Sequence, residues 1–297
     1  MHIDNRQLKA IKLYLLYQIT YPEDVNVVLK RYKKNGIVKR LKANSKESFV
    51  LENYLNFEEL NEQIKSFYYT LKIYLPHIST SAFEKNIKTL KIIETEKTPK
   101  EKIIELLYKE IIGAEYDSNK NHIIFYPEEY EELGEDKEKF ICSAITHELL
   151  HMASSYKKGL VRISGFSQTL ANAYEIGFGI NEGFTEYLNC KYFNQKAIPA
   201  YEQIQHITKI ITEIVGEDTM ERLYFEGNLK GLVNELSKYQ KEEESLDIIY
   251  DIDNAHRESY PEKKQQLLAT IKNNLSNLYL KKQETVQKYI LEKRLEA

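Results

Sequence analysis

The run His147-Glu148-Leu149-Leu150-His151 sets two imidazoles and a carboxylate in the order His-Glu-x-x-His, within residues 140–155, which contain no glycine or proline. That composition suits a helix. On a helix, positions 147 and 151 lie one turn apart and only about 40° apart around the axis, so both rings can reach one ion. Glu148 lies about 100° from His147, on the flank, where it can hold a water on that ion without being a ligand. On the other side Ile141, Ile145, Leu149 and Met152 share an apolar arc of about 80°, the face such a helix would bury. The chemistry this predicts is hydrolysis. A bound zinc lowers the pKa of its water toward about 7, and Glu148 removes the proton as general base and can pass it to a leaving amine.

Two histidines do not complete a catalytic zinc site, which takes three protein ligands and keeps a fourth position for water. The best third ligand stands in Ile180-Asn181-Glu182-Gly183-Phe184-Thr185-Glu186. Glu182 is expected at the start of a second helix, with Glu186 one turn further along the same face. That spacing lets Glu182 coordinate one zinc ion while Glu186 accepts a hydrogen bond from a ligand histidine's other ring nitrogen; an ordinary helix-surface acid is the alternative for Glu186. Gly177, Gly179 and Gly183 lack the spacing and the strand-to-helix context of a dinucleotide fingerprint, and are expected to permit close backbone approach beside the ligand helix. Cys142 is expected on the side of its helix turned from the histidines, and Cys190 about 12 Å beyond Glu182 along a continuous helix, so neither is a natural ligand. His2, His77, His122, His206 and His256 belong to no ligand-spaced pair and are read as structural or surface residues.

At these two motifs the chain resembles the gluzincin metallopeptidases, the group of thermolysin and the zinc aminopeptidases, in which His-Glu-x-x-His is followed downstream by a glutamate ligand. Asn181-Glu182-Gly183-Phe184 resembles the Asn-Glu-Gly segment of the aminopeptidase branch. The resemblance spans residues 110–193 and implies a zincin-like centre: a small sheet, the His-Glu-x-x-His helix and a glutamate-ligand helix. It implies Glu182 as metal ligand and Glu186 as the acid behind it. It also implies a peptide or protein substrate, an edge strand able to pair with extended substrate, for which the strand 122–126 is expected, and a Tyr or His donor to the oxyanion. For that donor Tyr201, His206 and Tyr224 stay open. The 30 residues between His151 and Glu182 exceed the spacing in either branch, and no Gly-Ala-Met-Glu-Asn-like amine anchor precedes Glu148, so aminopeptidase specificity is not implied.

The elements that must carry these residues follow from composition and periodicity. Scarce glycine (11) and proline (6) in 297 residues predict a mostly helical α+β protein. Three regions are expected: a helical N-terminal region 1–85, a catalytic core 86–195 and a helical C-terminal region 196–297. Helices are predicted over 8–17, 57–74 and 99–112, a strand over 89–94, and a hairpin of 114–116 with 122–126 across a turn at 117–121. Acids in 128–138 would sit at the N-terminus of the metal helix. Residues 159–168 and 174–180 are expected to pair beside the cleft, with helices over 201–215 and 220–236. A last helix would bury Leu267, Leu268, Ile271, Leu275 and Leu278. Eight basic residues in 30–46 are read as a solvated hairpin or loop, with contact to an anionic partner as the alternative. A net charge of −3 argues against a general nucleic-acid surface. No run of about 18 apolar residues predicts a membrane span, no signal peptide is apparent, and two cysteines fit a reducing, cytoplasmic setting. Two rivals remain: a helical interaction protein with a structural or inactive zinc site, and zinc-dependent hydrolysis of a bond other than a peptide. Oligomeric state is not fixed by the sequence.

Overall fold

A computed structural model describes residues 49–50, 57–95, 113–126, 137–170, 174–193, 195, 198 and 201–296. The helices expected over 8–17 and 99–112, the basic run 30–46 and the acidic stretch up to residue 136 lie outside the described residues. What is described is an α+β protein, predominantly helical, with two small sheets. Helix α1 (Phe57–Tyr74) buries Phe67 and Leu71 and turns Tyr69, Ile73 and Tyr74 outward. It is followed by the short α2 (Ser81–Asn86).

The first sheet contains β1 (Phe49–Val50), β2 (Lys91–Glu94), β3 (Ala114–Asp117) and β4 (His122–Phe125), in the order β1-β2-β4-β3. The expected hairpin is present: β3 and β4 are antiparallel, and Asn121 takes the left-handed backbone (φ 57°) that closes the turn. One expectation is corrected. Strand β4 is interior, paired in parallel with β2, so among the described residues the edges of this sheet are β1 and β3.

Helix α3 (Lys137–Ala153) leaves this sheet and runs through the middle of the molecule. Its apolar face is buried as expected, but residues 143–153 are buried on every side. The chain then forms an antiparallel meander of β5 (Ser155–Lys158), β6 (Val161–Ser164), β7 (Ser167–Leu170) and β8 (Tyr174–Ile176). The single hairpin expected here is therefore a four-stranded sheet, and the chain is helical from Phe178. Val161, Ile163, Leu170 and Ile176 face the core from one side of it, while Arg162, Ser164, Ser167, Thr169 and Glu175 share the other.

Helix α4 (Phe178–Phe193) packs against α3 and against α5 (Glu202–Val215). At Gly183 a Cβ would meet Thr208 Oγ1 at 2.3 Å and the Ile204 carbonyl oxygen at 2.8 Å, so only glycine lets α5 come this close. The single helix predicted over 220–236 is two, α6 (Glu217–Phe225) and α7 (Leu229–Leu236). They part because Gly227 turns left-handed (φ 61°) and Asn228 caps α7 by accepting from the Gly231 N–H. Helix α8 (Glu242–Arg257) packs on α4, and α9 (Pro261–Glu296), opened by proline in its first turn, packs on α8 and α5. Leu268, Ile271, Leu275 and Leu278 are buried there and Leu267 is half-buried. Among the described residues one apolar cluster runs from Phe67 to Leu278. Among the described residues no helix is long and apolar enough to cross a membrane.

Candidate metal centre

Helices α3 and α4 bring His147, His151 and Glu182 together, with one ligand atom from each lying within 4.8 Å of the others. All three are buried. The Glu182 carboxylate faces both rings, at 3.2 Å from His147 Nε2 and 3.4 Å from His151 Nε2. Glu182 stands in the second turn of α4, which begins at Phe178 and not at Glu182 itself. Two imidazoles and one carboxylate form a donor set that suits zinc at a catalytic site.

The groups behind these ligands differ between the two histidines. His147 Nδ1 donates to Glu186 Oε2 at 2.9 Å, and the other oxygen of that fully buried carboxylate accepts the Ile198 backbone N–H at 2.7 Å. Glu186 thus sits where a carboxylate would orient a ligand histidine, with Nε2 left for an ion. Behind His151 is Asn181. Its Oδ1 accepts the Phe166 backbone N–H at 3.0 Å, which points its amide nitrogen at His151 Nδ1, 3.1 Å away. When His151 is neutral, that arrangement makes its Nδ1 the acceptor and turns its Nε2–H toward Glu182. An ion held by Nε2 needs the opposite tautomer, with Nδ1–H facing an acceptor.

The electrostatics of the site follow from the same contacts. Burial disfavours charge on His147, but hydrogen bonds to Glu182 and Glu186 outweigh it and push its pKa up to about 10. An imidazolium bridging two carboxylates therefore supplies the positive charge. Burial acts against ionised Glu182 as well, yet the charge of His151 and the bonds from His147 and His151 hold its carboxyl well below the usual range. Glu148 has no such bond from a histidine: burial raises its pKa, and the two histidine charges and the Tyr116 backbone N–H only partly offset that.

These residues open onto a cleft of about 220 Å³, lined by Glu148, His151, Asn181 and Glu182 from the two helices. Edge strand β3 supplies Ala114, Glu115 and Tyr116 to one wall, and the polar side of the β5–β8 sheet supplies another. Tyr201 and His256 also line it. The Tyr201 ring stacks on His147 (centroids 5.2 Å apart, planes 14°) and lies 5.9 Å from the His256 ring. Among the three residues left open as oxyanion donors, only Tyr201 lines this cleft. Tyr224 is buried with its hydroxyl 2.7 Å from Thr185 Oγ1, and His206 is exposed beside a separate hollow with Lys209 and Lys272.

His256, read from sequence as a structural or surface residue, faces the cleft; burial pushes its pKa down to about 4, so it is neutral at pH 7. No local pattern in the sequence marks it, because it comes from α8, far along the chain. Asn181 and Arg162 are also placed at the site without having been singled out for it. Cys142 and Cys190 are not among the clustered ligands, although Cys190 Sγ lies 3.7 Å from Glu186 Oε1. No protein-family model, curated protein or solved structure matches this chain.

Proposed function

We propose that this chain is a zinc-dependent hydrolase acting on peptide bonds, with His147, His151 and Glu182 holding the ion and Glu148 as general base. The observation that carries the proposal is the convergence of three ligand atoms within 4.8 Å beside a cleft that His151, Glu182 and Glu148 line. Zinc, when bound, supplies Lewis acidity that lowers the pKa of water and polarises a carbonyl. The protein's own groups supply the rest. Glu148, with its raised pKa, moves a proton from the attacking water to the leaving nitrogen. Glu186 keeps the His147 proton on Nδ1 and fixes the ring. Strand β3, an edge of the sheet among the described residues, offers backbone N–H and C=O groups to an extended peptide beside Glu148. Tyr201 or His256 donates to the developing oxyanion, because both face the same space.

The test is zinc content and peptide hydrolysis measured together. Purified protein should carry one zinc per chain, and His147→Ala and Glu182→Ala should lose it. Glu148→Gln should keep the zinc and the fold while hydrolysis falls at least about a hundredfold. Stoichiometric zinc that survives loss of Glu182 would overturn the ligand set, and a Glu148→Gln protein as active as the parent would leave a structural site.

A further inference from the structure

Strand β6 carries an arginine into the metal cleft, and nothing in the mechanism above uses it. Arg162 is half-buried, and it is the single Lys or Arg among the described residues that line the cleft. Its guanidinium makes no hydrogen bond or ion pair with the described residues. The two acids near enough to favour its charge, Asp117 and Glu175, are engaged elsewhere. Asp117 pairs with Lys120 at 3.5 Å and accepts the Asn119 N–H at 2.8 Å. Glu175 holds Arg257 at 3.2 Å and accepts from Ser167 Oγ at 2.6 Å.

The register of the sheet sharpens the point. Lys157 on β5 lies directly across from Arg162, so two cations share one side of the sheet, and among the described residues no carboxylate bridges them. Like charges at directly opposed positions destabilise a strand pair. On its other flank Arg162 faces Thr169, and Ser164 and Ser167 stand on the same side, so the wall around the guanidinium is polar and small. This is a planar five-donor cation, partly shielded from water and without an anion among the described residues, in the cleft that His151 and Glu182 also line.

Resting on the hydrolase reading, we infer that Arg162 binds a carboxylate of the substrate, so that the preferred peptides carry a free C-terminus or an acidic side chain near the scissile bond. Both sources present the same planar anion to the guanidinium, and the experiment separates them.

Fluorescence polarisation would be read with four mixtures of dye-labelled peptides on the full-length, zinc-loaded Glu148→Gln protein, in which turnover is blocked. Two mixtures lack acidic residues and differ only in ending as a C-terminal acid or a C-terminal amide. Two are amides that differ only in one internal Glu or Gln. At least one acidic mixture is expected to bind about tenfold tighter than its neutral twin, as for a charge-assisted hydrogen-bonded pair. Adding Arg162→Gln should shrink that gap to about twofold or less, and Arg162→Lys should keep part of it, since lysine retains the charge without the fork. Zinc content of each variant checks that the site is intact.

Equal binding of both acidic mixtures and their twins would overturn the proposal. So would a gap that survives Arg162→Gln, which would assign the carboxylate to the metal. Failure of the hydrolase reading shows separately, as no cleavage by protein with Glu148 in place, and leaves the polarisation result to decide the role of Arg162.

Discussion

Asn181 is the residue whose chemistry fits the metal-loaded site least well as it stands. Its Oδ1 is committed to the Phe166 N–H, so its amide nitrogen faces His151 Nδ1, where a metal-ligating histidine would carry its own proton. An aspartate at this position could accept from both. Asn181→Asp is therefore expected to tighten zinc binding by about tenfold, the scale on which groups behind metal ligands act. It should also lower the melting temperature of the metal-free protein, because a further carboxylate would be buried beside Glu182 and Glu148. Competition against a calibrated zinc chelator reads the first effect and thermal unfolding in EDTA the second; unchanged or weaker affinity would sink the tautomer argument. Glu186 gives the complementary case. Its carboxylate already accepts from His147 Nδ1, so Glu186→Gln should weaken zinc by about ten- to a hundredfold without removing a ligand.

At the level of elements, the site depends on where α4 begins. Its first turn is capped from another helix: Asp253 of α8 accepts the Gly177 and Gly179 backbone N–H groups, both at 2.8 Å. Gly177 has φ 75°, and a Cβ there would meet the Phe166 carbonyl oxygen at 2.3 Å, so the entry to α4 has one backbone solution. Burial raises the Asp253 pKa to about 6, against the pull of Arg257 and the two N–H bonds. The folded state thus binds this proton more tightly than the unfolded chain, whose value is near 3.8. The resulting stabilisation is complete below the unfolded value and is lost as pH rises through about 6. Asp253→Ala leaves two buried N–H groups without acceptors, at about 1–3 kcal/mol each. Its deficit relative to the parent should widen as the pH is lowered from 7 to 4; denaturant unfolding at several pH values reads this, and a deficit that narrows on acidification would contradict the assignment.

The same elements mark what was legible in the sequence. His147, Glu148 and His151 could be placed because helix periodicity is local, and the β3–β4 hairpin because its turn residues are. Glu182 required the assumption of a second helix, which exists but starts four residues earlier. Strands β5 to β8 have three or four residues each, too few for alternation to fix their number or register. That β3 and not β4 is the edge depends on the parallel pairing of β2 with β4, and the roles of Asp253, His256 and Arg162 depend on contacts between distant elements; neither leaves a mark on neighbouring residues.

Taken as a whole, the molecule joins the site to its C-terminal helices through two different kinds of contact, and these predict different behaviour. Leu275 of α9 is fully buried in the common apolar cluster. Leu275→Ala should cost about 2–5 kcal/mol of stability through lost burial and a residual cavity. It touches no ligand, however, so the affinity of the folded state for zinc should be unchanged. Zinc that binds only the folded chain stabilises it by an amount set by concentration and affinity alone, about 4 kcal/mol at a thousandfold excess over Kd. The stability gained on adding zinc should therefore be equal in the parent and in Leu275→Ala, although the two start from different baselines. Asp253→Ala should behave otherwise, because Asp253 sets the start of the helix that presents Glu182. There the zinc increment itself should shrink, together with the baseline. Denaturant unfolding of the three proteins with zinc and with EDTA separates the cases: an equal increment in all three would mean that the α8 contact stabilises the fold without positioning the ligand, and a smaller one in Leu275→Ala would mean that packing at α9 reaches the metal centre.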